Sequence, residues 1–391
     1  MQGLLEGLRV IDVGTRVAAP FCAGTLGEQG AEVIKVEQPE VGEYLRRLGP
    51  FADDYSLMWS VEGRHRKSVT LDLRKPEGQD LFRRLCAASD VVCENFRPGT
   101  MERWNIGPAD LAPHLVLVRI SVFGQDGPYA TRPGVDLLGL AYSGLLDMTG
   151  PADGPPVKSN VTISDHLTGV LAAKAAVVAV YARDVVGTRE GSVIDASLYG
   201  SVVRTLGWQF AALDRCGIEP SRSGNADPNL PATGVFLAAD DRFVVVAASS
   251  DAQFAALVDL VGLEPEARSW SASDRVTAAK PIGAAMAAWA GSMVAEELVR
   301  RCHAARVPAA VARTAQEVSE EDPGAPDGYL VSVGDPVLGP VLQQAPHPRV
   351  AGVANTPRGA AEVGEHNEEI WCGLVGLSTA RLQELRRAGT I

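Results

Sequence analysis

Among its 391 residues the chain has no CxxC or CxxH pair, no GxGxxG turn, no excess of positive charge and no apolar run of membrane length. Each shortage excludes something. The six cysteines (Cys22, Cys86, Cys93, Cys216, Cys302, Cys372) lack metal-binding spacing and read as buried thiols of a reducing compartment, not as a disulfide framework or a metal cage. A net charge of -12 argues against a nucleic-acid partner held by bulk attraction. The longest apolar run, 167–182, is broken by Lys174 and falls short of the ~20 residues a membrane span needs. The start, MQGLLEGLRV, has an early Glu and no basic-then-apolar order, so it does not read as a secretion signal. The expectation is a cytoplasmic protein with neither a membrane nor a nucleic-acid partner.

Such a length exceeds what one core usually organises, so two domains are expected. Residues 8–14, LRVIDVG, form a short apolar strand ending in Gly, 20–30 a helix with Pro near its start, and 31–37, AEVIKVE, a second strand. Strand, helix, strand predicts a right-handed parallel crossover and an α/β sheet. The first turn reads GTRVAAP, without the glycines that let backbone approach a pyrophosphate, which excludes a nicotinamide or flavin site there. Next come a strand (KSVTLDL), a helix (PEGQDLFRRLCAAS) and a strand (DVVCENF). Arg64, His65, Arg66 and Lys67 precede the first of these strands, Arg74 and Lys75 follow it, and Arg97 and Arg103 follow the second. Ends of parallel strands of the same sense share a rim, so Arg74 and Arg97 are expected near one another. A local basic excess in an acidic chain fits a small polyanion, and a solvated basic loop is the plainer alternative.

A strand (LVLVRISV) then enters a Gly/Pro-rich loop of the kind that walls binding sites, followed by a short helix ended at Gly150. Asp136, just before that apolar turn, either caps it or bonds catalytic backbone. The centre of the reading is 158–199, where Ser164-Asp165 opens onto an Ala-rich helix that Asp165 would begin. Asp165 reads either as the helix cap or as a carboxylate nucleophile held ionised by the same amides and the positive helix end. Neither Leu167 nor Thr168 can close a capping box. A strand (GSVIDAS) and a helix follow. After a polar linker near 215–227, a smaller α+β region has a hairpin over VFLAADDRFVVVAAS and helices beyond it, with His303 on a helix surface. The chain then returns to the first domain, with Ser378 capping a last amphipathic helix. The expected partition is 1–212, 213–325 and 326–391.

Several stretches together carry a resemblance: LRVIDVGTRVAAPFCAGTLGEQGAEVIKVE, KSVTLDLRKPEG, SDVVCENFRPGTMER, ISVFGQDGPY, DLLGLAYSGLLDMTGPADGPP, ISDHLTG and GEHNEEI. Along essentially its whole length the chain resembles the family III CoA transferases, whose members include formyl-CoA and carnitine CoA transferases. The resemblance implies a Rossmann-like large domain built from both chain ends, a smaller domain between them, and an interlocked homodimer. It implies Asp165 as the catalytic aspartate, with Asp136 in support. It also implies coenzyme A contacts at Val17, Ala18, Leu71, Asp72, Leu73, Arg74, Asn95, Phe96, Arg97 and Arg103. Gln38 and Gly63 stand where members carry Arg and Asn. The implied reaction moves CoA from an acyl-CoA to a free carboxylic acid through an aspartyl anhydride and an aspartyl thioester, with no metal and no tightly bound cofactor. Backbone amides at the helix start by Asp165, or a nearby glycine loop, are the donors expected to bind each tetrahedral oxyanion. Alternatives are an α-methylacyl-CoA racemase, which would require a His where Val135 stands, and a CoA-binding protein without turnover. Specificity is expected in the small domain and the 221–235 loop.

Overall fold

The computed structural model describes residues 3–322, 324, 328–353 and 357–391. Short apolar segments buried on both faces make the best parallel strands, and all of the sheet but its last, partly exposed strand is built from them. Its strands are β1 (Arg9–Asp12), β2 (Glu32–Glu37), β5 (Arg66–Thr70), β6 (Val91–Glu94), β7 (Val116–Ser121) and β8 (Val193–Ser197). A small hairpin, β3 (Phe51–Ala52) with β4 (Tyr55–Ser56), intervenes. The six strands run in the order β5-β2-β1-β6-β7-β8, every neighbour parallel. The chain therefore winds outward from β1 in one direction and from β6 in the other. The reversal lies between β1 and β6, and their carboxyl ends define the crevice where α/β sheets bind ligands.

The helices that position the site are α1 (Ala18–Glu28), α2 (Leu57–Glu62), α3 (Pro76–Ala87), α4 (Thr100–Arg103), α5 (Asp136–Ser143), α6 (Ile163–Tyr181) and α7 (Leu198–Val203). Pro76 opens α3, where a missing N–H costs nothing. One face of the sheet packs on Phe82 and Leu85 of α3 with Trp371, Leu382 and Leu385 of the C-terminal segment. The other face packs on Ala18, Cys22 and Ala23 of α1 and Ala172, Ala173 and Ala176 of α6. Small residues are required there because α1 and α6 nearly touch. A Cβ at Gly169 would stand 3.0 Å from the Ala18 carbonyl and 2.9 Å from the Phe21 ring. The final helix, Thr379–Arg387, is capped by Ser378 Oγ, which accepts from the Arg381 amide at 3.2 Å, as expected.

The described chain forms two compact units, one of Met1–Leu145, Ser159–Gly207 and Asp322–Ile391, the other of Leu146–Lys158 and Trp208–Glu321. The second unit contains the hairpin expected from VFLAADDRFVVVAAS, β9 (Thr233–Leu237) with β10 (Phe243–Ala247), to which β11 (Ala309–Val311) adds antiparallel. His303 is exposed on the helix Ala295–Ala304, its Nε2 2.9 Å from the Ala309 carbonyl oxygen. The expected boundary at 325/326 lies outside the described residues.

Some expectations are corrected. The helix after Asp136 stops at Ser143, because Gly144 at φ 89° turns the chain before Gly150 is reached. The hairpin β12 (Leu330–Asp335) with β13 (Gly339–Gln344) carries no clean apolar alternation and was not foreseen. Cys216 is exposed, unlike the buried Cys22, Cys86, Cys93 and Cys302. No single helix among the described residues is long and apolar enough to cross a membrane.

Candidate active site

Asp165 does not begin its helix. α6 starts at Ile163, and Thr162 in the cap position makes no side-chain cap bond, so the free amides of the first turn need another acceptor. Asp136 supplies it from the first residue of α5. Its Oδ1 accepts the Ser164 N–H at 2.8 Å, the Asp165 N–H at 3.1 Å and the Ser164 hydroxyl at 2.7 Å. Of the two sequence readings of Asp136, bonding the backbone at Asp165 is the one realised. Asp165 is left in the first turn with its side chain uncommitted to capping.

This also corrects an expectation about oxyanion binding. The amides at the start of α6 are occupied, those of Ser164 and Asp165 by Asp136 and that of His166 by the Thr162 carbonyl at 3.2 Å. Of the donors expected to serve an oxyanion, the glycine loop after β7 remains, with Gly124 at φ 91° and Gly127 at φ 95°. Asp195 fixes that loop by accepting the Gln125 amide at 2.9 Å.

The electrostatics of Asp165 follow from its surroundings. Burial, and then the nearby Asp136 charge, push its carboxyl up to about 6, against an ordinary value near 4. His166 and Arg16 oppose this by favouring the ionised form. His166 is itself tied. Its Nδ1 donates to the Thr162 carbonyl at 2.7 Å, its Nε2 stands 3.6 Å from Glu62 Oε1, and its ring meets Phe21 edge-on at 4.5 Å. The Glu62 carboxylate, first among the causes, holds the imidazole above its usual range against the opposing effect of burial.

The contacts of Gly169 and His166 with Ala18 and Phe21 bring the start of α6 to the start of α1, beside the crevice. Val17 and Ala18, both buried, lie there. Asn95 ties the two loops of the crevice together. Its Oδ1 accepts the Thr15 amide at 2.8 Å and its Nδ2 donates to the Thr15 carbonyl at 2.7 Å. Phe96 packs edge-on against Trp104 at 5.2 Å, Arg97 is exposed, and Arg103 on α4 is exposed and donates to Thr100 Oγ1 at 2.8 Å.

The 71–74 segment follows β5 on the same rim but not beside Arg97. Two strands intervene between β5 and β6, which separates their ends by about 14 Å at ordinary strand spacing. Leu71 and Leu73 bury their side chains in the core, and the Asp72 amide is used by the Thr390 carbonyl at 2.8 Å. Arg74 forks onto Asp72, with Nε 2.8 Å from Oδ1 and Nη2 3.0 Å from Oδ2. The basic run at 64–67 lies at the opposite ends of the strands and is paired. Arg64 bonds Glu28, Arg66 meets Asp12 at 3.1 Å, and Lys67 meets Glu32 and Glu369, each at 2.6 Å. A cavity of about 880 Å³ opens on that side, lined by Arg9, Glu32, His65, Lys67, Arg358 and His366. Its charges largely neutralise each other, and burial with the flanking arginines pushes His65 down to about 4. It is remote from Asp165 in chemistry as in strand end.

Sequence reasoning missed His166, Glu62 and the support of the β1–α1 loop. That support is a buried ion network in which Lys35 Nζ stands 3.2 Å from Asp12 and 3.4 Å from Glu43, and donates to the Gly14 carbonyl at 2.5 Å. His166 was visible as the neighbour of Asp165 in SDHLTG. Its partner Glu62, 104 positions earlier, left no local trace.

The family model described as CoA-transferase family III matches residues 5–367. The chain is 34% identical over 393 residues to a succinyl-CoA–D-citramalate CoA-transferase of Chloroflexus aurantiacus, covering 98% of this chain and 96% of that protein. It is also 34% identical to the beta subunit of a succinyl-CoA–L-malate CoA-transferase of the same organism, over 98% and 96%. A crystal structure of a CAIB/BAIF family protein from Brucella suis superposes with a TM-score of 0.82 at 28% identity, covering 96% of this chain and all of that one. The chain belongs to CoA-transferase family III.

Proposed function

We propose that the chain moves coenzyme A from an acyl-CoA thioester to a free carboxylic acid, with Asp165 as the covalent carrier. The observation that carries this reading is an uncapping, partly buried carboxylate at the start of α6, beside the crevice between β1 and β6. Its backbone is held by Asp136. The Asp165 carboxylate attacks the donor thioester, and the C–S bond breaks to give an aspartyl–acyl anhydride and CoA thiolate. The thiolate attacks the aspartyl carbonyl, the donor acid leaves as its carboxylate, and CoA is held on Asp165 as a thioester. The acceptor carboxylate attacks that thioester and frees the thiolate, which then takes the acyl group from the second anhydride and restores Asp165. Each step exchanges one activated acyl bond for another, so no outside energy source is consumed. The neighbouring cations, Arg16 and His166, favour the ionised nucleophile.

The crevice residues Val17, Ala18, Asn95, Phe96 and Arg97 fit the role of receiving CoA, with Arg103 beyond them. Leu71, Asp72, Leu73 and Arg74 offer chiefly the Arg74 side chain and free backbone atoms. The relatives' names favour succinyl-CoA as donor and a hydroxydicarboxylic acid as acceptor. The proposal includes a cytoplasmic homodimer. Exposed Val170, Val177, Val178, Tyr181, Val185 and Val186, on α6 and the turn after it, supply an apolar surface for a second copy. A racemase finds no support in the side chains, since Val135 precedes Asp136 and both nitrogens of His166 are engaged. The test is transfer from succinyl-CoA to a panel of carboxylic acids, with Asp165→Ala as control. Product thioester is expected from the chain and none from the variant, and equal turnover by both would refute the proposal.

A further inference from the structure

Arg16, between β1 and α1, is a non-glycine residue at φ 62°, a strained backbone state that persists only when its surroundings enforce it. They do. Its amide donates at 2.7 Å to Glu43 Oε1, and Glu43, only 4% exposed, is held in turn by Lys35. A buried ion network thus fixes the backbone of a residue whose side chain is exposed. That side chain is unspent. Arg46, Arg66 and Arg119 are engaged, on Glu37, on Asp12 and on Glu94 with Glu102, whereas Arg97 and Arg103, after β6, are exposed like Arg16 but stand on the far loop of the crevice. The Arg16 guanidinium has no carboxylate partner among the described residues. It lies 4.6 Å from the centre of the Tyr44 ring, over which the equally unpaired Arg47 stands at 5.6 Å.

Resting on the function proposed above, we infer that Arg16 holds the second carboxylate of a dicarboxylic acyl group whose first carboxyl reacts at Asp165. An unpaired planar guanidinium, backed by an aromatic ring, suits a carboxylate taken up in a two-point grip. The phosphates of CoA are the rival anion. They are separated from the sulfur by the whole pantetheine arm, whereas Arg16 lies just before Ala18, which packs on α6 at Gly169, about one turn beyond Asp165, the group the sulfur must reach. His166, the other cation acting there, is already bound to Glu62 and Thr162. Tyr44 backs the guanidinium, and Arg47, against the same ring, adds positive charge beside it.

The experiment compares kcat/KM for succinyl-CoA and butyryl-CoA, which differ by a carboxylate against a methyl, with one common acceptor acid. The full chain and its Arg16→Gln and Arg16→Lys variants are measured. The preference for succinyl-CoA is expected to fall on the order of 10- to 100-fold in Arg16→Gln, the usual effect of losing a charged hydrogen-bond partner, and less in Arg16→Lys. Removing Arg16 also disfavours ionised Asp165, but that slows both donors alike and cancels in the ratio. An unchanged preference in Arg16→Gln overturns the inference, as does an unmodified chain that does not discriminate between the two donors. A KM raised equally for both donors assigns Arg16 to CoA and overturns it too. Failure of the unmodified chain to transfer CoA from any donor would instead remove the proposed function beneath it.

Discussion

The carboxylate of Asp136 accepts the backbone N–H of Asp165 at 3.1 Å, so one acid caps the helix while the side chain of the other is left out of the cap. The same proximity loads Asp165 with a like charge, and burial adds to it. A carboxylate kept ionised against its surroundings is a better nucleophile than one resting in a cap.

Replacing Asp165 by Asn is expected to lower CoA transfer by roughly a thousandfold or more, the scale of losing a covalent nucleophile. Stability should move the other way. The folded state raises the proton affinity of Asp165, so folding is favoured by its protonation and loses stability as pH rises from about 4 to about 6. At neutral pH the Asn variant should therefore melt at the same temperature or higher, as checked by calorimetry. A lower melting temperature would mean that Asp165 serves the fold.

Attack requires the ionised carboxylate, so kcat/KM should fall on the acid side of about pH 6, about tenfold per unit below it. Asp136→Asn removes the larger of the two negative charges acting on Asp165 while keeping an amide oxygen for the α6 amides. The acid limb should then move to lower pH. A limb that stays in place would dissociate it from Asp165.

His166→Gln tests the imidazolium. The proton affinity of His166 is raised in the fold, so its pairing with Glu62 stabilises the protein below about pH 6.5 and is lost as pH rises through the folded value. The variant should be less stable by about 0.5 kcal/mol at pH 6, the scale of a partly exposed pair, with a smaller deficit at pH 9. Denaturant unfolding at the two pH values reads the difference.

The loop that carries Arg16 depends on Lys35. Lys35→Met leaves Asp12 and Glu43 without their shared buried cation and should cost about 3–5 kcal/mol in denaturant unfolding. Gly169→Ala is milder in chemistry but presses on the Ala18 carbonyl and Phe21, and should cost about 1–3 kcal/mol while shifting Asp165 relative to the crevice.

The parallel strands and α6 were legible in the sequence because apolar runs, Gly ends and an Ala-rich helix are local signals. The first residue of α6 was not, since its cap comes from Asp136, 28 positions before Ser164. The neighbourhood expected for Arg74 and Arg97 failed because strand order, which local sequence does not encode, puts β2 and β1 between their strands. The basic run at 64–67 resembled an anion site but is consumed by Glu28, Asp12, Glu32 and Glu369, partners distant in sequence. Arg16 gave the opposite case, an unremarked residue in GTRVAAP that the fold leaves unpaired.

The covalent role of Asp165 is tested most directly by intact-protein and peptide mass measurement after incubation with succinyl-CoA and no acceptor. The expected result is a gain of one coenzyme A less one water, mapped to the peptide carrying Asp165 and absent in Asp165→Asn. Transfer that proceeds with no adduct at Asp165, or with the adduct on another residue, would contradict the account.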